Sequence, residues 1–142
     1  MSAGAPVNDA VQVYLALGRI NRLLRRSSGP GELSPGAASA LASLVRGGRM
    51  RQGDLAGLEQ VAAPTMSRIV AVLEEQGHVR READPEDGRA ALVTATASGE
   101  ALVTGVTSVR TRELSEVLDR LTATQRRGLL AGLGALEESF RS

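Results

Sequence analysis

The sequence predicts a mainly α-helical fold carrying one small β-hairpin, an α+β arrangement. Three observations predict it. Near both ends of the 142-residue chain, apolar residues recur at spacings of four, three and four, the period of a helix with one buried face. Between His78 and Thr96 that period is lost. Two short strand-like segments, the second rich in Val and Thr, flank the turn-forming run Asp84-Pro85-Glu86-Asp87-Gly88-Arg89. The chain has one Tyr, one Phe and no Trp, so any core must be built from aliphatic side chains.

The elements follow in order. Val13, Leu17, Ile20 and Leu24 form one seam of a helix from about Asn8 to Ser27, with Arg19, Arg22, Arg25 and Arg26 on its other face. Ser28-Gly29-Pro30-Gly31 breaks that helix. Ser34 is placed to cap a second helix that has Pro35 at its first position, runs to about Val45 and stops at Gly47-Gly48. A third helix, Gln52 to Glu59, carries Leu55 and Leu58. After a turn at Gln60-Val61-Ala62-Ala63, a fourth helix starts at Pro64 and reaches Gln76. Met66, Ile69, Val70 and Leu73 share one of its sides, and Thr65, Ser67 and Arg68 lie off that side. Gly77 ends it, as glycine in a left-handed conformation does. Strands are expected at His78–Ala83 and Ala90–Thr96. Thr96 then caps a long helix from about Ala97 to Leu121. Thr122 and Gln125 form a capping box for the last helix, whose seam is Leu129, Leu133, Leu136 and Phe140.

Helices three and four with the hairpin make a helix-turn-helix followed by a wing. The terminal helices are amphipathic beyond what so small a core needs, which points to a second copy of the chain as their partner. The expected division is a dimerisation helix and linker at 1–32, a DNA-reading region at 33–97, and dimerisation helices at 98–142.

Composition excludes several function classes. Hydrophobic residues make up 42% and charged residues 23%, an ordinary globular balance. The absence of Cys removes disulfides, thiolate metal sites, a cysteine nucleophile and thiol redox sensing. No apolar run approaches the roughly 18–20 residues of a membrane span. The N-terminus lacks a secretory pattern, so a cytoplasmic protein is expected, nucleoid-associated when on DNA. The lone His78 and the acidic turn make no metal site. Gly132-Leu133-Gly134 has no preceding strand and so is not a nucleotide loop. Glu74-Glu75 and Glu137-Glu138 point to different helix faces, so they are poor acid/base couples. Neither catalytic residues nor a cofactor are expected.

Net charge is +1, but its distribution is uneven. Residues 1–51 carry seven Arg against two acids, a balance of +5; residues 52–97 carry four Arg against eight acids, −4; the rest balances. A reader of DNA is expected to show a basic patch, and the acidic middle third argues against a strong non-specific binder. It also keeps open a rival: a winged-helix module that binds protein and not DNA.

Residues 50–99 carry a resemblance. Met50-Arg51-Gln52-Gly53-Asp54-Leu55-Ala56, Pro64-Thr65-Met66-Ser67-Arg68-Ile69-Val70 and Leu73-Glu74-Glu75-Gln76-Gly77-His78-Val79-Arg80-Arg81 resemble the MarR family of bacterial transcriptional regulators. So do Asp84-Pro85-Glu86-Asp87-Gly88-Arg89 and Thr96-Ala97-Ser98-Gly99. The resemblance implies an intertwined homodimer held by its terminal helices, a winged helix-turn-helix on each subunit, and double-stranded DNA as partner. It implies that Pro64, Thr65, Ser67 and Arg68 open the recognition helix in the major groove, and that Arg89 at the wing tip reaches the minor groove. It implies that Asp87 orients a basic residue near the wing, Arg81 or Arg68. Two positions depart from the family pattern: Arg51 stands where many members have a Ser or Thr cap, and Gly88 stands where the wing tip often has Arg.

Each residue also has a plainer reading. Arg68 has the planar fork that takes guanine O6 and N7 together, but it also suits a solvated helix surface. Thr65 and Ser67 suit phosphates or base edges, and equally a helix start. Pro64 follows two alanines, so the helix start lacks a side-chain cap and leaves amides for a DNA phosphate or for water. Arg89 at a turn suits a narrow minor groove, or solvent alone. Arg51 and Gln52 are candidates for a phosphate contact. Tyr14 and Arg19 are candidates for a pocket that takes a small organic ligand, with Tyr14 otherwise a surface or packed ring. The expected whole is a dimeric repressor on a near-palindromic operator, released by a small ligand.

Overall fold

The computed structural model describes residues 7–26, 32–104 and 109–142. Their elements are α1 (Val7–Arg26), α2 (Pro35–Gly47), β1 (Met50–Arg51), α3 (Gln52–Glu59), α4 (Ala63–Glu75), β2 (Val79–Ala83), β3 (Ala91–Ala95), α5 (Ala97–Thr104), α6 (Val109–Asp119) and α7 (Ala123–Arg141). Two compact units result: residues 29–108, and residues 1–28 together with 109–142.

In the first unit, local signals set the helix ends. Ser34 Oγ accepts the Ala37 N–H at 3.2 Å, with Pro35 opening α2. Gly48, at φ 79°, donates its N–H to the Leu44 carbonyl at 2.9 Å, so α2 runs two residues past the expected Val45. Gly77, at φ 78°, ends α4 as expected: the Gly77 N–H reaches the Glu74 carbonyl and the His78 N–H reaches that of Leu73. The end of α3 is different, because Gln60 takes the left-handed conformation there, at φ 55°.

The core is aliphatic throughout. Ala37, Ala40, Leu41 and Leu44 of α2 meet Leu55 of α3, Met66, Val70 and Leu73 of α4, and Val79 and Val93 of the sheet. Each large side chain contributes about 1.5–3 kcal/mol by leaving water. Ile69 is only partly buried against this core. Leu58, expected beside Leu55, is exposed, because the buried face of α3 centres on Leu55 and Ala56.

The sheet has three antiparallel strands in the order β1-β3-β2. The hairpin register pairs Val79 with Ala95, Arg81 with Val93 and Ala83 with Ala91. The expected strands were longer, taking in His78, Ala90 and Thr96. Two-residue β1 was not expected; it sets Arg51 opposite Leu92.

Of the stretch expected from Ala97 to Leu121, helix is described at 97–104 and 109–119; residues 105–108 lie outside the described residues. Thr96 caps α5 by accepting the Gly99 N–H at 3.2 Å, while its hydroxyl donates to the Gly77 carbonyl at 2.6 Å. A side chain at Gly99 would strike the His78 carbonyl oxygen and crowd Leu41 Cδ1 at 3.0 Å. α5 thus packs on α2 and β3 inside the winged unit, whereas the boundary drawn at 97/98 falls after its first residue.

The second unit holds α1, α6 and α7, with α1 touching α6. The Thr122–Gln125 capping box is formed, at 3.0 and 3.1 Å. Neither α1 nor α7 buries a residue. The seam residues Val13, Leu17, Ile20, Leu129, Leu133 and Leu136 are exposed, and open space surrounds Gly132 and Gly134. The break read at Ser28-Gly29-Pro30-Gly31 lies outside the described residues. No described helix is long and apolar enough to cross a membrane.

Candidate nucleic-acid interface

Helix α4 is oriented by what it buries. Met66, Val70 and Leu73 lie in the core, so the helical period turns Pro64, Thr65, Ser67 and Arg68 to the exposed side. The helix opens at Ala63, with Ala62 as cap residue and no side-chain cap. Its first amides therefore remain available to an outside acceptor.

The wing loop is tied at three places. At its base, the Asp84 N–H donates to the Ala90 carbonyl at 3.1 Å. At its tip, Asp87 Oδ1 accepts the Arg89 N–H and the Asp87 carbonyl accepts the Ala90 N–H, both at 3.0 Å. At its side, Asp84 Oδ2 accepts Arg51 Nε at 3.0 Å and Nη2 at 2.7 Å, while Oδ1 accepts the Glu86 N–H at 2.9 Å. Asp84 is almost wholly buried. The Glu86 amide and then the Arg51 guanidinium hold its carboxyl below the usual range, and Asp84 in turn raises Arg51.

These contacts correct the expected orientation of the wing. Arg81 does not pair with Asp87; its Nε meets Glu74 Oε2 at 3.3 Å, because antiparallel pairing with Val93 holds Arg81 where β2 follows α4. Nor does Arg68 pair with Asp87, whose carboxylate instead shapes the backbone at Arg89. Within the wing loop, the acid that engages a guanidinium is Asp84. Its signal was legible: an Asp-Pro pair closing a strand, with an acceptor for the amide two residues on. Its partner, Arg51, was hidden in the unexpected β1.

Charge on the wing and its surroundings is largely cancelled. Glu82 binds Arg80 at 2.9 Å and Arg49 at 3.4 Å, and Arg80 first, then Arg49, lowers its carboxyl. Arg49, Arg51, Arg80 and Arg81 thus all engage acids, Arg49 and Arg80 sharing the one carboxylate of Glu82. Arg68 and Arg89 are exposed and, among the described residues, have no ion-pair partner; Arg46 at the end of α2 shares that state. Gln52 is half-buried, with its Oε1 unpartnered. Tyr14 and Arg19 lie exposed on α1, in the other unit. His78 Nδ1 lies 3.0 Å from Ser98 Oγ. No group of three acidic, His or Cys side chains is placed to hold a metal ion among the described residues.

A helix-turn-helix whose second helix is exposed along one side, backed by a three-stranded wing, defines a winged helix-turn-helix protein. The model of the MarR family matches residues 33–91. An HTH-type transcriptional regulator of Mycobacterium leprae is 38% identical over 117 residues, which are 82% of each chain. The chain belongs to the MarR family, whose members are DNA-binding transcriptional regulators and not enzymes. A probable transcriptional regulator from Pseudomonas aeruginosa superposes with a TM-score of 0.72 at 29% identity, covering 92% of this chain and 99% of its own. The Staphylococcus aureus MepR–DNA complex shares the fold, with a TM-score of 0.65 at 22% identity over 89% of this chain and 96% of its own.

Proposed function

We propose that the chain is a homodimeric repressor that occupies a near-palindromic operator and is released by a small organic ligand. The observation that carries the reading is that the exposed guanidiniums of α4 and of the wing tip have no ion-pair partner among the described residues. Arg68 stands on the exposed side of α4 and Arg89 at the wing tip, while four neighbouring arginines are held by acids. An uncancelled guanidinium on α4 suits the guanine edge in the major groove. One at a wing tip suits a narrow minor groove. Thr65 and Ser67 would bond phosphates or base edges, and the uncapped start of α4 would take a phosphate.

Two such readers related by a two-fold axis would enter successive major grooves about 34 Å apart. Repression then follows from covering promoter DNA, in the cytoplasm at the nucleoid. For the ligand, the chain's shortage of rings favours an aliphatic pocket, with Tyr14 for a hydrogen bond and Arg19 for an anionic group. The test is binding to the DNA upstream of the chain's own gene across a salt series. Tight binding that falls steeply with salt and needs both half-sites supports the reading. A chain that ignores DNA at low salt is instead the protein-binding module.

A further inference from the structure

We propose that Arg51 and Asp84 form a positioning pair: their ion pair fixes the wing to the start of α3 and so sets where Arg89 meets DNA. The proposal rests on the DNA-binding reading and adds to it a residue pair that touches no base.

The geometry argues for it in three steps. Asp84 leaves β2, yet its carboxylate binds Arg51 of β1, on the far side of β3. The contact therefore spans the sheet and does not merely repeat the hairpin's own bonding. Next, Arg51 is also the cap residue of α3, where it makes no side-chain capping bond. Its guanidinium is committed to the wing by two charge-assisted N–H donors that converge on Asp84 Oδ2. Last, Asp84 Oδ1 holds the Glu86 amide and the Asp84 N–H holds the Ala90 carbonyl. One nearly buried residue thus gathers the loop's first half and the helix-turn-helix through its carboxylate, and the loop's closing residue through its own amide.

What the pair positions is Arg89, the one Arg of the wing loop. Its own amide is held by Asp87 within the loop, so the loop moves as a piece and its attachment decides where the guanidinium lies. A loose wing would still carry the charge, but it would lose entropy on each docking. The pair and Arg89 should therefore act as a unit, with coupled effects.

The experiment is a double-mutant cycle on the full chain. Arg51→Gln removes the guanidinium and leaves the Asp84 turn in place. Asp84→Asn keeps the Oδ1 acceptor and removes the charge, providing a second route if the first variant folds poorly; thermal melts check both. Operator affinity is measured with and without Arg89→Ala, together with hydrogen exchange of residues 84–90 in the free protein. Arg89→Ala should cost about ten-fold in the parent and under about three-fold in either background, and residues 84–90 should exchange faster than in the parent while α4 stays protected. Equal losses in parent and variants overturn the proposal whatever the exchange shows. If the parent itself ignores DNA, the functional reading falls and takes the DNA-positioning role with it, and exchange then decides only the wing's attachment: unchanged protection of 84–90 overturns that as well, and faster exchange upholds it.

Discussion

Gln60 is the one non-glycine residue at positive φ among the described residues. It closes α3, where its N–H reaches the Gly57 carbonyl and the next amide reaches that of Ala56. An L side chain in the left-handed region costs about 1–2 kcal/mol, and glycine offsets part of that relief with about 0.5–1 kcal/mol of chain entropy. Gln60→Gly should therefore raise stability by about 0.5–1 kcal/mol, read by urea denaturation, with DNA affinity unchanged. No gain would mean that the Gln60 side chain makes up for the strain. The unpaired arginines of α4 and of the wing tip should behave differently from each other. Arg68→Ala should cost about 1–3 kcal/mol at one base position per half-site and relax preference there. Arg89→Ala should weaken all sequences alike and make the salt slope shallower by about one unit per arm lost. A binding-site selection with each variant separates these outcomes, and indistinguishable profiles would remove the base-reading role from Arg68.

At the scale of elements, the wing carries the pH dependence. Asp84 is held below its ordinary value by the Glu86 amide and then by Arg51, and Glu82 by Arg80. A depressed folded value means that the folded state favours the ionised form. The stability these groups contribute is complete above the unfolded value near pH 4 and is lost as pH falls through the lower folded value. Asp84→Asn should lower the melting temperature at pH 7, and the gap to the parent should close as pH drops below about 4. A gap of constant size from pH 7 to pH 3 would sink this assignment. The same elements show what the sequence makes legible. The caps at Ser34, Thr96 and Thr122 and the stop at Gly77 were readable because each is a local bond between near neighbours in sequence. The exposed side of α4 was readable from the period of Met66, Val70 and Leu73. β1 was not, because two residues are too short to alternate. The Arg51–Asp84 pair went with it, since it joins residues that only the sheet brings together. Gln60 was missed because its residue type does not announce left-handed backbone.

At the scale of the whole molecule, apolar surface is divided unevenly between the two units. The winged unit buries its aliphatic core and, among the described residues, leaves only Leu58 and Val72 of its large apolar side chains exposed. Every other exposed large apolar residue among the described ones lies on α1, α6 or α7, including Val13, Leu17 and Ile20 on one seam and Leu129, Leu133 and Leu136 on another. Neither α1 nor α7 has a buried residue to anchor it. Short helices in water hold together through packing of an amphipathic face and not through propensity, and contiguous apolar patches this rich mark interaction surfaces. Dimerisation through these helices is therefore expected, and Leu133 is a sharp place to test it. If a partner covers Leu133, each copy contributes about 1.5–3 kcal/mol, and Leu133→Asp would also strand a charge in the interface. Sedimentation at micromolar concentration should show the parent at the dimer mass and Leu133→Asp at the monomer mass, or unfolded. Leu58→Asp, an equal change at an exposed Leu of the winged unit, should stay dimeric. Operator affinity should fall with the dimer, because a single reader holds only one half-site. A parent that sediments as a monomer, or a Leu133→Asp variant that remains dimeric, would leave these seams without a partner and the two-fold reading of the operator without a basis.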